Sequence, residues 1–154
     1  MNVDATAVAT TVATVATGLT AGVYLAFSVL VMPALAAAPP APALAVMQRI
    51  NLLAPRPVFG LVFAAAAIGS GWVLVAPWIT GQDRQPWPMV GAALSLAAFA
   101  VTAAANVPWN RRIAALDGST PAGLRNWQSI SVRWRWGNHL RGGCATLGLI
   151  AFLM

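Results

Sequence analysis

The stretch "WRWGNHLRGG", Trp134 to Gly143, holds the only histidine of the chain beside Asn138, Arg141 and two tryptophans. Imidazole is the side chain best suited to taking a proton near neutral pH. Guanidinium and amide groups can stabilise an oxyanion that develops as the proton leaves. His139, Arg141 and Asn138 are therefore the candidate catalytic set. "NVPWN" supplies a second cluster, with Asn106 and Asn110 four apart and so on one face of a helix. Pro108 frees the carbonyl of Ala104 for an amide or a water. Gln48 and Asn51, one helical turn apart in "ALAVMQRINLL", add two more amides, and Tyr24, Trp109 and Trp134 could stack on an aromatic ring. The competing reading is structural: asparagines capping helix ends and Arg141 snorkelling to the headgroups.

Other chemistries lack their residues. The acids are Asp4, Asp83 and Asp117 alone, so no predicted crossing carries a carboxylate for a proton relay or a metal cage. There is no phosphate-binding glycine loop, dinucleotide fingerprint, zinc motif or paired Cys-x-x-Cys. One histidine cannot supply two axial haem ligands within one chain. His139 and Cys144 are five apart, off a common helix face, which disfavours a copper site. No metal site is expected.

These residues must be positioned by helices in a bilayer. Of 154 residues, 59% are apolar and 8% charged, against about a quarter charged in soluble domains. The net charge of +6 rests on arginines placed between apolar runs, which reads as a topology signal and not as nucleic-acid binding. The expected fold is all-α: a single domain over 1–154, a four-transmembrane-helix bundle in the cell membrane. Crossings are predicted at Ala7–Val31, Phe59–Trp78 and Pro88–Ala105, with a fourth ending the chain. Met32-Pro33 bends or ends the first, and a short interfacial helix follows over Ala43–Leu53. Thr120 and Pro121 suit a helix start, opening a long cytoplasmic helix that runs into the fourth crossing. Trp127, Ser131, Trp134, Asn138 and Arg141 form one stripe along it. "GLTAG", Gly18 to Gly22, has the small-residue spacing that lets membrane helices approach, including those of a homo-oligomer.

Arginine placement predicts orientation. Arg49 and Arg56, then Arg111, Arg112, Arg125, Arg133, Arg135 and Arg141, lie in the first and third connections, whereas the second has Arg84 alone. Both termini are expected outside and the arginine-rich connections in the cytoplasm. The thirteen residues from Gly142 to Met154 make only about 20 Å of helix, short of a hydrocarbon core of ~30 Å. A last helix that crossed fully would draw Asn138, His139 and Arg141 into the inner part of the core, where ionisable groups mark functional sites.

"AGVYLAFSVLVMPAL", "MQRIN", "NVPWN" and "NHLR", in this order, resemble the membrane family that includes the anthrone oxygenases of aromatic polyketide pathways. The resemblance implies a four-helix membrane bundle. In characterised members it implies oxygenation of an anthrone to an anthraquinone with no recognised flavin, haem or metal cofactor. Carried over by position, the matching polar residues are Gln48, Asn51, Asn106, Asn110, Asn138, His139 and Arg141. One departure is Gly137, which separates Trp136 from Asn138 where the family pattern joins tryptophan directly to asparagine.

Two function classes follow. One is a cofactor-independent oxygenase of a phenolic or anthrone-type lipophilic aromatic that partners the protein from the lipid bilayer. The alternative is a non-catalytic membrane binding or assembly protein whose polar cluster joins the helices, which predicts that Asn106 and Asn138 pair across the bundle. A transporter fits less well, because no repeated half is evident.

Overall fold

The computed structural model describes residues 4–54 and 57–154. Five helices account for nearly all of them: α1 (Ala5–Ala37), α2 (Pro40–Leu53), α3 (Pro57–Thr80), α4 (Pro86–Ala114) and α5 (Pro121–Leu153). The start of each follows local rules. Asp4 Oδ1 accepts the Thr6 N–H at 2.8 Å to cap α1, and Thr120 Oγ1 accepts the Gly123 N–H at 3.1 Å to cap α5. Pro40, Pro86 and Pro121 open α2, α4 and α5, where a missing N–H costs nothing.

Two prolines inside helices leave a signature. Pro33 would clash with the carbonyl of Val29, and Pro108 with that of Ala104. Each of those carbonyls lies in a single widened π turn, Phe27–Val31 in α1 and Thr102–Asn106 in α4. There Met32 N–H bonds Phe27 and Val107 N–H bonds Thr102, five residues back. The wider turn absorbs the proline and the helix continues. For this reason α1 runs to Ala37, past the expected end at Val31, and α4 runs to Ala114, past Ala105. Such turns frequently sit at functional sites, and these two carry Ser28, Thr102 and Asn106.

The four long helices pack as a square in which α1 and α4 each touch α3 and α5, with little contact across the diagonal. Small residues allow the close approach. A Cβ on Gly91 of α4 would stand 2.9 Å from the Gly148 carbonyl oxygen of α5, and the reverse contact would be 3.1 Å. Gly18, in the "GLTAG" stretch, faces Leu149 of the same chain. At one end Asp4, Gln82 and Asp83 lie with Phe152 and Leu153. At the other, Met32, Leu44, Met47, Ile113, Trp127 and Trp134 form the largest apolar core, which α2 closes.

The count of membrane spans corrects the sequence expectation of a four-transmembrane-helix bundle. Among the described residues three helices are long and apolar enough to cross a membrane: α1, α3 and α4. They make this a multi-pass membrane protein. The fifth helix does not meet the requirement. Its first two-thirds carries Arg125, Arg133, Arg135 and Arg141, and the apolar run after Arg141 is about a dozen residues, against the ~20 of a span. What holds α5 is the groove between α1 and α4, into which it turns Trp127, Trp134, Asn138 and Arg141. The depth argument for the polar cluster therefore gives way to one based on burial in protein. Arg56, one of the arginines used for orientation, lies outside the described residues.

Candidate functional site

The stripe on α5 lands on the two widened turns. Asn138 is fully buried and all four hydrogen-bonding positions of its amide are used. Its Nδ2 donates to the Tyr24 carbonyl and to Ser28 Oγ, both at 2.9 Å. Its Oδ1 accepts from Arg141 Nε at 3.2 Å and from Arg141 Nη2 at 2.9 Å.

Arg141 is 7% exposed and has no carboxylate partner among the described residues. Its charge is met by dipoles and π faces instead. Nη1 donates to Thr102 Oγ1 at 3.4 Å, and the guanidinium carbon stands 4.3 Å from the Tyr24 ring centroid and 5.2 Å from that of Trp134. Tyr24 Oη lies 3.3 Å from the same Thr102 hydroxyl.

Asn106 and Asn110 both hold Trp134. Asn106 Nδ2 donates to the Trp134 carbonyl at 3.1 Å, while Trp134 Nε1 donates to Asn110 Oδ1 at 2.7 Å. Asn106 and Asn138 thus each tie α5 to another helix and do not pair with one another. Gly137 explains itself here. A Cβ at that position would stand 2.9 Å from Asn106 Oδ1, so the glycine makes room for the buried amide.

In front of this network lies a cavity of about 260 Å³. Tyr24, Trp134, Arg141, Asn110 and Asn51 give it a polar and aromatic wall, and Phe27, Phe59 and Phe63 an apolar one. Asn51 Nδ2 is buried with no partner. Asn138 and Asn106 stand behind the wall and fix it.

Three of the predicted residues lie elsewhere. His139 is exposed on the other side of α1, in a groove of about 490 Å³ lined by Leu25, Ser28, Val29, Gly142, Gly143 and Leu147. Its Nδ1 is 2.9 Å from Ser28 Oγ and its ring meets Trp136 edge-on. Gln48 Nε2 donates to the Ile113 and Leu116 carbonyls at 3.0 Å and so ties α2 to the end of α4. Trp109 packs on the core beneath α2. Sequence reasoning missed Ser28, Thr102 and the phenylalanines. For Ser28 a signal existed, since it lies four residues after Tyr24 and one turn before Pro33.

Among the described residues no three of His, Cys, Asp and Glu come together as a metal site would require. A larger cleft, about 590 Å³ between Asp4, Gln82, Asp83 and Phe152, is at the opposite end of the bundle from this network.

The family model described as anthrone oxygenase matches residues 45–151 of the chain. The chain belongs to the anthrone oxygenase family. No curated protein and no solved structure matches it. The region that marks this anthrone oxygenase family member includes Asn51, Asn106, Asn110, Trp134, Asn138 and Arg141, whereas Tyr24 and Ser28 precede it.

Proposed function

We propose that this member of the family is a membrane binding protein whose polar cluster joins its helices and whose cavity receives a lipophilic aromatic molecule from the bilayer. The observation that carries this reading is the use of Asn138. Every donor and acceptor of its amide is spent on Tyr24, Ser28 and Arg141, with nothing left over for a reacting molecule. Asn106 Nδ2 and Asn110 Oδ1 bond Trp134, while Asn106 Oδ1 is buried without a partner. A flat phenolic or anthrone-type molecule fits the remaining features. Tyr24, Trp134 and Phe63 offer ring faces, and Arg141 and Asn51 offer N–H groups to an acceptor oxygen.

Family membership favours one second reading, a cofactor-independent oxygenase. An anthrone that loses a ring CH proton becomes an enolate able to reduce dioxygen, with anthraquinone and water as products. In that reading Arg141, which lines the cavity, holds the enolate oxygen. His139, the candidate base, opens on the separate groove and reaches the cavity only through Ser28 and Asn138.

The deciding experiment uses the full chain in nanodiscs with a hydroxylated anthrone. Tryptophan quenching reports binding and an oxygen electrode reports turnover. The binding reading expects saturable quenching with oxygen uptake no faster than in empty nanodiscs. Uptake that rises with protein and is lost in Arg141→Gln would replace it with the oxygenase reading, and no saturable quenching would remove both.

A further inference from the structure

The arginine-rich end of the bundle carries an arrangement that neither reading uses. Trp109 of α4 is half-buried against the core, and two guanidinium groups address its indole. Arg112, one turn along the same helix, has its guanidinium carbon 4.7 Å from the ring centroid, and Arg133 of α5 has its own at 5.6 Å. Both arginines are exposed. Among the described residues Arg141 alone of the arginines donates side-chain hydrogen bonds, so the N–H groups of Arg112 and Arg133 are uncommitted. The acids do not compete for them. Asp4 and Asp83 line the cleft at the far end, and Asp117 Oδ1 receives the N–H and hydroxyl of Ser119.

A guanidinium held over an aromatic face keeps its N–H groups in its own plane, free for a second partner. Two such groups, one from α4 and one from α5, stand against one indole with exposed donors. That donor set, planar, doubly charged and without a carboxylate, matches the oxygens of a phosphodiester. Trp109 lies five residues from the end of a membrane span, at the level where indoles meet lipid headgroups. Six arginines on α2, the end of α4 and the first half of α5 (Arg49, Arg111, Arg112, Arg125, Arg133 and Arg135) face one acid, Asp117, at this end. Such an excess attracts a headgroup with net negative charge over a zwitterionic one, whose cation would sit among them.

We propose that Arg112, Trp109 and Arg133 form a binding site for the phosphate of an anionic phospholipid headgroup. The lipid bridges the ends of α4 and α5, and the site is independent of the cavity beside Arg141.

Native mass spectrometry of the full chain, released from micelles holding equal phosphatidylglycerol and phosphatidylcholine, tests this. Wild type retains phosphatidylglycerol in preference, and Arg112→Gln with Arg133→Gln lowers that preference about tenfold or more. The double lysine variant, which keeps the charge but loses the planar fork, lowers it less. Arg84→Gln is the internal control. Arg84 stacks on Trp78 at 3.8 Å near the other end of the bundle, and the preference stays at the wild-type value. Equal retention of the two lipids by wild type, or the same preference in the double glutamine variant, overturns the proposal. Displacement of the retained lipid by millimolar inorganic phosphate also overturns it, in favour of a site for the free ion.

Discussion

Arg141 Nε and Nη2 both donate to Asn138 Oδ1, the side chain three residues earlier on the same helix, and both residues are buried. The pair is more than a local contact, because the other end of the Asn138 amide holds Tyr24 and Ser28 on α1. One amide therefore does two things: it fastens α5 to the widened turn of α1, and it aims a charged group along the cavity wall.

Asn138→Leu separates these roles. Leucine fills the space but removes the one oxygen that accepts two guanidinium bonds, and the amide N–H groups that bond the Tyr24 carbonyl and Ser28. Hydrogen bonds to charged groups contribute about 1.5–3 kcal/mol each, so the loss is expected at or above about 2 kcal/mol. Unfolding in mixed micelles measures it. A Leu variant as stable as wild type would show that water replaces the amide.

Gly137→Ala makes a sharper test, because the contact it creates is with a single atom group. The new Cβ meets Asn106 Oδ1 at 2.9 Å, and the amide is fully buried and tied by its Nδ2 to the Trp134 carbonyl, so moving away breaks that bond. Overpacking of this kind costs about 1–3 kcal/mol. Asn106→Ala removes the obstruction, so the double variant is expected to lose less than the sum of the two single ones. Additive losses in the cycle would place the cost of Gly137→Ala elsewhere.

The sequence and the structure agree where local chemistry decides and part where packing does. Thr120-Pro121 marks a helix start from residue types alone, and the stripe Trp127, Trp134, Asn138 and Arg141 follows from helical spacing. Two features were not legible. Pro33 reads as a bend or end and Pro108 as freeing the Ala104 carbonyl, because a widened turn that absorbs a proline leaves no mark in residue types. The four crossings counted from apolar runs became three because α5 carries four arginines and its apolar run after Arg141 is too short for a span, and that helix is held by the side chains it buries against α1 and α4. The same blindness separated His139 from Arg141. The two are only two residues apart in sequence, yet about 200° apart around a helix, and α1 lies between the groove and the cavity they face.

That separation gives the third prediction. Arg141→Gln removes the charged donor from the cavity wall and is expected to weaken binding of a hydroxylated anthrone about tenfold, the equivalent of roughly 1.4 kcal/mol for a charge-assisted bond. His139→Ala touches only the outer groove and should leave the quenching titration unchanged. A His139→Ala variant that binds as poorly as Arg141→Gln would mean that the chain from His139 through Ser28 and Asn138 controls the cavity.

Gln48 supports a fourth. Its amide donates to two carbonyls where α4 ends, that of Ile113, which also receives the Leu116 N–H, and that of Leu116 itself. Gln48→Leu leaves both without that donor and is expected to loosen α2 at a cost of about 1–3 kcal/mol. Amide exchange over Pro40–Leu53 should speed up more than exchange within α3, which α2 does not hold. Uniform change across all helices would count against this role.

The last prediction concerns acid. Asp117 precedes the start of α5, and the Ser119 hydroxyl, then the Ser119 N–H, hold its carboxyl below the usual value of 3.8. A carboxylate with a depressed folded pKa stabilises the folded loop at pH above its unfolded value. That stabilisation fades as pH falls through the lower folded pKa, where the proton displaces the two Ser119 bonds. Exchange of the Ser119 amide should therefore be slow relative to Asp117→Asn above about pH 5, after correction for intrinsic rates, with the difference vanishing below the folded pKa. Identical protection in the two proteins at neutral pH would show that the turn holds without the carboxylate. The Thr120 bond to Gly123 would then be sufficient to start the helix.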